Sequence, residues 1–158
     1  MERTAKIVSV AQSDNVGLYS ISFNGDKSEY QKFREKFKEN ATLNKDYKEI
    51  LYAIDRIIAN GAFERHFRRE GKSKDRVAAL SVYSKTLRLY CLRISDQILI
   101  AGNGGNKTTR TYEEDEELNG YVIDLQKFDE LLKEAQQNGS ITIEKNVIIG
   151  IEETTFTL

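Results

Sequence analysis

Two strand-like runs near the middle of the chain constrain the fold more than any other feature. Residues 87–94 read LRLYCLRI, and a second apolar run, QILIA at residues 97–101, follows after only Ser95 and Asp96. Strands separated by so short a polar connection pair as an antiparallel hairpin. The chain therefore needs a β-sheet, and its other elements must extend that sheet or pack on it.

Helical patterns lie on both sides of this hairpin. Ser28 and Gln31 form a capping box that predicts the start of a first helix. Residues 47–58 carry a single apolar stripe that recurs at helical spacing and predicts a second helix. A third helix is expected to begin near Asp124 and to end at Asn138.

Further strands are predicted near both ends of the chain. Residues 4–11 and 17–23 indicate an N-terminal hairpin, and residues 141–143 and 147–151 indicate a last one. Residues 77–82 could form a short strand or a buried crossing segment. This order predicts one α+β domain, residues 1–158, with a mostly antiparallel sheet that contains both the N-terminal and the central hairpin. The apolar stripe of the second helix is expected to pack on that sheet.

The charges are distributed unevenly, although the formal net charge is only -1. Residues 63–93 hold nine Lys or Arg against three Asp or Glu, and residues 113–134 hold nine acids against two lysines. A basic middle indicates a polyanionic or acidic partner, or it forms one of two solvated faces that balance each other. We expect the acidic run at residues 113–117 to lie near residues 65–76 and to screen them partly.

Composition argues against several classes of protein. The sequence has no apolar run of about 18 residues, so no transmembrane helix is expected, and the first residues do not resemble a signal peptide. Cys91 is the single cysteine, which excludes an intrachain disulfide and favours a cytoplasmic location. Cys91 and His66 are the only soft ligands, which argues against structural zinc. No cofactor is expected.

A candidate anion site follows the second strand of the central hairpin. A glycine-rich loop is predicted at residues 102–106, and it would bring Lys107, Arg110 and Tyr112 close to Arg88 on the first strand. The loop resembles a phosphate-binding loop only superficially, because Asn106 separates its last glycine from the lysine and the residues after it favour no helix. A nucleoside triphosphatase is therefore not predicted.

The arrangement of residues 47–112 resembles the RelE/HigB group of bacterial toxin nucleases. In that group two helices precede an antiparallel sheet, a strand similar to Leu87-Arg88-Leu89-Tyr90 is followed by one similar to Ile98-Leu99-Ile100, and a segment bearing Lys and Arg carries the catalytic groups. The N-terminal hairpin and everything after Glu117 lie outside the resemblance, as extensions of the domain.

The resemblance implies a metal-independent mRNA endoribonuclease, the toxin of a toxin–antitoxin pair. Arg88 would clamp the phosphate, Lys107 would act as a base or an electrostatic stabiliser, Arg110 would stabilise the transition state, and Tyr112 would stack on a base or assist proton transfer. RNA would bind the basic residues Arg65, Arg68, Arg69, Lys72, Lys74 and Arg76. The implied partners are RNA, on or off the ribosome, and a cognate antitoxin of the helix-turn-helix class, with no membrane.

Each of these residues also has a purely structural interpretation. Arg88 could pair with a carboxylate of residues 113–117, Lys107 and Arg110 could be solvated loop charges, and Tyr112 could pack on the third helix. His66 is interpreted as a surface residue rather than a general base, and Cys91 as a small apolar filler. Two other functions remain open, a non-catalytic binding module for protein or RNA with the same fold and an accessory protein of a phage or mobile element.

Overall fold

The computed structural model describes residues 2–71, 75–80 and 86–158, which form three α-helices and nine strands. The strands are β1 (Thr4–Gln12), β2 (Gly17–Phe23), β3 (Phe67–Arg69), β4 (Val77–Leu80), β5 (Leu87–Ser95), β6 (Ile98–Asn106), β7 (Thr142–Glu144), β8 (Val147–Ile149) and β9 (Phe156–Thr157). The helices are α1 (Glu29–Phe37), α2 (Asn44–Asn60) and α3 (Glu116–Gln137). Within these residues, no helix is both long enough and apolar enough to cross a membrane.

Seven of the strands form one sheet in the order β3-β4-β5-β6-β2-β1-β9. Neighbouring strands run antiparallel except β2 and β6, which pair in parallel from Gly17 opposite Ile98 to Ser20 opposite Ala101. The predicted α+β class and the mostly antiparallel sheet are confirmed, and both hairpins belong to that sheet. Strands β7 and β8 pair separately, and β9 was not predicted.

Helices α1 and α2 cover one face of the sheet. The side chain of Ser28 accepts a hydrogen bond from the backbone of Gln31, as the capping box predicts. The α2 stripe is buried against sheet residues that include Leu89 and Leu99. Full burial of each large aliphatic side chain contributes roughly 1.5–3 kcal/mol, so this layer fixes how the helices sit on β5 and β6.

Helix α3 and the β7–β8 hairpin cover the opposite face. The expected start of α3 near Asp124 is wrong, because the helix begins at Glu116 with Asp115 as its N-cap. The Asp115 side chain accepts a hydrogen bond from the backbone of Leu118, and the acids that follow favour the positive end of the helix dipole. The acidic run is therefore largely the beginning of a helix.

The predicted glycine-rich loop at residues 102–106 is also wrong, because β6 continues to Asn106. The pairing of β5 with β6 is irregular between Leu89 and Cys91. A Cβ at Gly104 would lie 1.8 Å from the Arg88 carbonyl oxygen. Glycine thus permits a close approach of two backbones inside the sheet, a known use of strand glycines.

The described residues between α2 and β5 include a short turn and two short strands. The segment around His66 is a short 3-10 turn (Glu64–His66) followed by the edge strand β3. The crossing segment at residues 77–82 is strand β4 over Val77–Leu80, and its last two residues lie outside the described residues.

Candidate active site

Strand β5 places two polar side chains on the α3 face of the sheet. Leu89 and Cys91 belong to the cluster under α1 and α2, whereas Tyr90 belongs to the cluster under α3. The alternation of side chains along a strand places Arg88 on the same face as Tyr90. The Arg88 side chain is buried, with 8% of its residue surface exposed, so its charge lies beneath the surface.

Tyr90 carries a buried hydroxyl without a hydrogen-bond partner in the described part of the chain. Its residue surface is 0% exposed, and its ring lies edge-on to Tyr112 with 6.4 Å between centroids. Burial raises the pKa of Tyr90 above its ordinary 10.0, and the negative charge of Glu70 raises it further. The phenol is therefore a protonated donor at neutral pH, and a buried unpaired donor of this kind is unusual.

Glu70 contributes a carboxylate that the sequence analysis did not single out. It follows β3 and is half-buried, and this burial raises its pKa above the ordinary 4.5. The positive charges of Arg68, Arg88 and Lys107 lower the pKa of Glu70 and so oppose the effect of burial. The carboxylate thus lies close enough to feel two of the predicted catalytic cations. The sequence feature that could have indicated this residue is its position directly after Arg68 and Arg69 and directly before Gly71.

Lys107 and Arg110 are connected to each other by a short loop. The backbone N–H of Lys107 donates to the Thr86 carbonyl at 2.6 Å, which extends the β5–β6 ladder by one bond. Its ammonium donates to the Arg110 carbonyl at 3.0 Å. The positive charge of Lys107 acts on the Glu70 carboxylate. Arg110 contacts Lys107 through its carbonyl oxygen, and its side chain is exposed.

Tyr112 closes the site from the segment before α3. Its residue surface is 9% exposed and it packs in the cluster with Leu118 of α3, which agrees with the alternative, structural interpretation of this residue. Burial raises the pKa of its phenol above 10.0, and a hydrogen bond from the Gly71 N–H opposes this rise. Because the ring is enclosed, its contribution to chemistry would come from the hydroxyl.

The predicted RNA-binding residues have different environments. Arg65 and Arg68 are exposed, and the Arg65 guanidinium lies 4.7 Å from the centre of the Phe63 ring. Arg69 is exposed and donates to the Asp75 carbonyl at 2.8 Å. Arg76 instead forms an ion pair with the buried Asp129 of α3. Lys72 and Lys74 lie outside the described residues.

The acidic run at residues 113–117 begins directly after Tyr112, which contacts the basic stretch. Tyr112 contacts the turn at Gly71, but Glu117, at the other end of the run, pairs with Lys36 of α1 at 3.1 Å. The carboxylate that pairs with Arg76 is Asp129, farther along α3. The expected screening of residues 65–76 by residues 113–117 remains a prediction about salt dependence.

The remaining candidates are His66 and Cys91. Burial, followed by the charges of Arg65 and Arg56, lowers the pKa of His66 below 6.5, and its ring stacks on Phe63. Cys91 is 0% exposed in the cluster under α1 and α2, and burial raises its pKa to about 12. Among the described residues, no group of three or more His, Cys, Asp or Glu is placed to hold a metal ion.

Comparison of this chain with family models, curated proteins and solved structures gives no match.

Proposed function

We propose that the protein is a metal-independent endoribonuclease, the toxin component of a toxin–antitoxin pair. One observation carries the proposal, the convergence of a carboxylate, two cations and an unpaired phenol in one site. Arg88 and Tyr90 lie on one face of β5, where Tyr90 is edge-on to Tyr112. Glu70 follows β3 and Lys107 follows β6, and the charges of Arg88 and Lys107 both act on the Glu70 carboxylate. Cleavage of RNA without a metal needs a base, fixed positive charge and an acid.

The chemistry assigns each group a role. Glu70 accepts the proton of the RNA 2′-hydroxyl, whose oxygen attacks the neighbouring phosphorus while the bond from phosphorus to the 5′-oxygen breaks. Arg88 and Lys107 stabilise the additional negative charge of the phosphorane. Tyr90 or Tyr112 donates the proton to the departing 5′-oxygen. The products are a 2′,3′-cyclic phosphate and a 5′-hydroxyl, and the proton on Glu70 then passes through water to the tyrosinate, which restores both groups.

The raised pKa of Glu70 favours it over Lys107 as the base. A half-buried carboxylate is a stronger base than a solvated one, and general bases work best when their pKa approaches the working pH. Lys107 then serves as the electrostatic stabiliser, one of the two roles that the resemblance to RelE/HigB nucleases implies. The order of two helices followed by four antiparallel strands, β3 to β6, also supports the proposal.

A non-catalytic binding module of the same fold is the second candidate. It is favoured by the burial of Arg88 and by the hydrogen bond that holds the Lys107 ammonium to the Arg110 carbonyl. A buried Arg88 and a Lys107 that is hydrogen-bonded within the protein would stabilise the fold without contacting a substrate. The partners proposed for the nuclease are RNA, on or off the ribosome, and a helix-turn-helix antitoxin, whereas the binding module would engage a protein or RNA.

Growth and RNA cleavage test the two candidates together. Expression of the wild-type chain should slow bacterial growth, and the purified protein should leave 2′,3′-cyclic phosphate ends on RNA, with or without ribosomes. Glu70→Gln and Lys107→Ala should each lower cleavage by on the order of a hundredfold and relieve growth. Arg110→Ala should have a smaller effect, because its side chain is exposed.

The pH profile supplies an independent readout. Since the base must be ionised, wild-type cleavage should rise with pH through a midpoint above 4.5, and Glu70→Gln should lose that rise. Arg56→Gln, at an exposed position of α2, is the matched control and should behave as wild type. If the folded wild-type protein is harmless and leaves RNA intact with and without ribosomes, the nuclease proposal fails and the binding module replaces it.

A further inference from the structure

A second site lies where β3, β4 and β5 meet the segment that follows α2. A cleft of about 420 Å³ opens there, lined by Arg69, Arg76 and Arg93 together with Glu64, Phe67 and Ala78. The candidate active-site residues are not among the described residues that line it. Its volume falls in the range of about 300–1,000 Å³ that small-molecule sites occupy.

The three guanidinium groups are held in place by partners outside the cleft. Arg93 donates from Nε to the Ala62 carbonyl at 2.8 Å and forms an ion pair with Asp96. Arg76 donates from Nε to Asp129 at 2.7 Å, and Arg69 donates to the Asp75 carbonyl. Side chains fixed in this way lose little freedom when a ligand binds, which favours recognition of an anion.

Glu64 is the one acid among the described residues of the lining, and it is weakly held. Its side chain is 87% exposed, and its carboxylate lies 3.6 Å from Nη1 of Arg93. An exposed pair at this distance exchanges readily with another anion. Glu64 thus occupies the position where the negative group of a ligand would meet Arg93.

We propose that the cleft binds a nucleoside monophosphate unit. The phosphate replaces Glu64 beside Arg93 and is attracted by Arg69 and Arg76, and the planar base lies against the half-buried Phe67 ring. Guanidinium groups suit phosphate, and aromatic rings suit any base through stacking. The small side chain of Ala78 leaves room between these walls. The unit is either a free nucleotide or one residue of a single-stranded RNA.

Titration of the full chain with adenosine 5′-monophosphate, adenosine and inorganic phosphate tests this proposal. Amide shifts of residues 64–69 and 76–78, read by NMR at low salt, should report tighter binding of the nucleotide than of either fragment. Arg69→Gln should weaken nucleotide binding by about tenfold, since it removes one charge-assisted contact. Glu64→Gln should strengthen it, because the competing carboxylate is gone. Arg56→Gln should leave it unchanged.

Three results would overturn the proposal. These are the absence of shifts at the cleft, equal effects of Arg69→Gln and Arg56→Gln, or inorganic phosphate binding as tightly as the nucleotide. Glu64 is exposed, so Glu64→Gln keeps the test valid if Arg69→Gln perturbs β3. The cleft amides should show the same affinity in Lys107→Ala, because Lys107 is not among the residues that line the cleft, and this readout separates the cleft from the proposed nuclease site. Tighter, salt-dependent binding of a short oligoadenylate would identify RNA as the source, and equal binding would identify the free nucleotide.

Discussion

The Arg76–Asp129 pair offers the sharpest test of what holds β4 to α3. Asp129 is 1% exposed, accepts hydrogen bonds from the Arg76 backbone N–H at 3.1 Å and from its Nε at 2.7 Å, and forms an ion pair with the Lys133 ammonium at 3.6 Å. Arg76→Met removes the guanidinium but leaves the backbone bond and Lys133, whose side chain is 44% exposed. Breaking a buried pair costs roughly 3–5 kcal/mol, and the remaining partners place this case at the low end, about 3 kcal/mol.

That loss is large enough to measure by urea denaturation and by thermal melting. For a chain of this size, about 3 kcal/mol corresponds to a fall in Tm of roughly 6–12 °C. Arg76→Met combined with Asp129→Leu should recover most of the loss, because no buried charge is then left unpaired. Arg56→Met, at an exposed position, should change the free energy of unfolding by less than about 0.5 kcal/mol.

Two outcomes would refute this reasoning. One is a cost of less than about 1 kcal/mol for Arg76→Met, which would mean that water or Lys133 already satisfies the carboxylate. The other is a double variant that loses the sum of the two single losses. The expected outcome also bears on RNA binding, because loss of RNA affinity in an Arg76 variant would then report weakened packing of β4 on α3 as well as a lost contact.

Three further predictions concern tightly packed positions. Gly104→Ala should lower the free energy of unfolding, measured in urea, by more than about 2 kcal/mol, because its Cβ would lie 1.8 Å from the Arg88 carbonyl oxygen. The control Gly120→Ala on α3 meets nothing within 4 Å and should raise that free energy by about 0.5–1 kcal/mol, so equal effects of the two substitutions would contradict the close approach. Tyr90→Phe should keep or raise stability by up to about 1 kcal/mol while lowering RNA cleavage, since it removes an unpaired buried hydroxyl; a clear loss of stability would mean that the hydroxyl has a structural partner. Cys91 should react with a thiol reagent only when the protein unfolds, because it is 0% exposed and its pKa is raised to about 12; prompt labelling of native protein would contradict its burial.

The elements that the sequence predicted well are those with an unbroken period. The stripe from Tyr47 to Ile57 packs in the layer under α1 and α2, and the apolar face of β2, formed by Tyr19, Ile21 and Phe23, packs in the layer under α3, so local pattern and packing agree. The start of α3 was missed because Asn119 and Gly120 interrupt the pattern, although Leu118 and Val122 are both buried. Tertiary packing of those two residues outweighs the low helix propensity of the residues between them.

The candidate site was predicted only in part, for a related reason. Arg88, Lys107 and Tyr112 lie near the central hairpin, where pairing of β5 with β6 brings neighbours in sequence together. Glu70 reaches them through the pairing of β3 with β4 and of β4 with β5, which no local pattern specifies. The hydroxyl of Tyr90 lacks a hydrogen-bond partner because of how the residue is packed, and no sequence signal distinguishes Tyr90 from the seven other tyrosines.

During synthesis, β2 is made well before β6, the strand with which it pairs in parallel. Its pairing from Gly17 opposite Ile98 to Ser20 opposite Ala101 cannot form until β6 has been made. At about 5–20 residues per second, that delay lasts on the order of 4–16 seconds. Throughout it, both edges of the β1–β2 hairpin lack a neighbour, because β9, which pairs with β1, is made after β6, and unpaired edges recruit other strands. Strand β2 therefore gains its second neighbour only after β6 has been made, at the pairing that joins the two halves of the sheet.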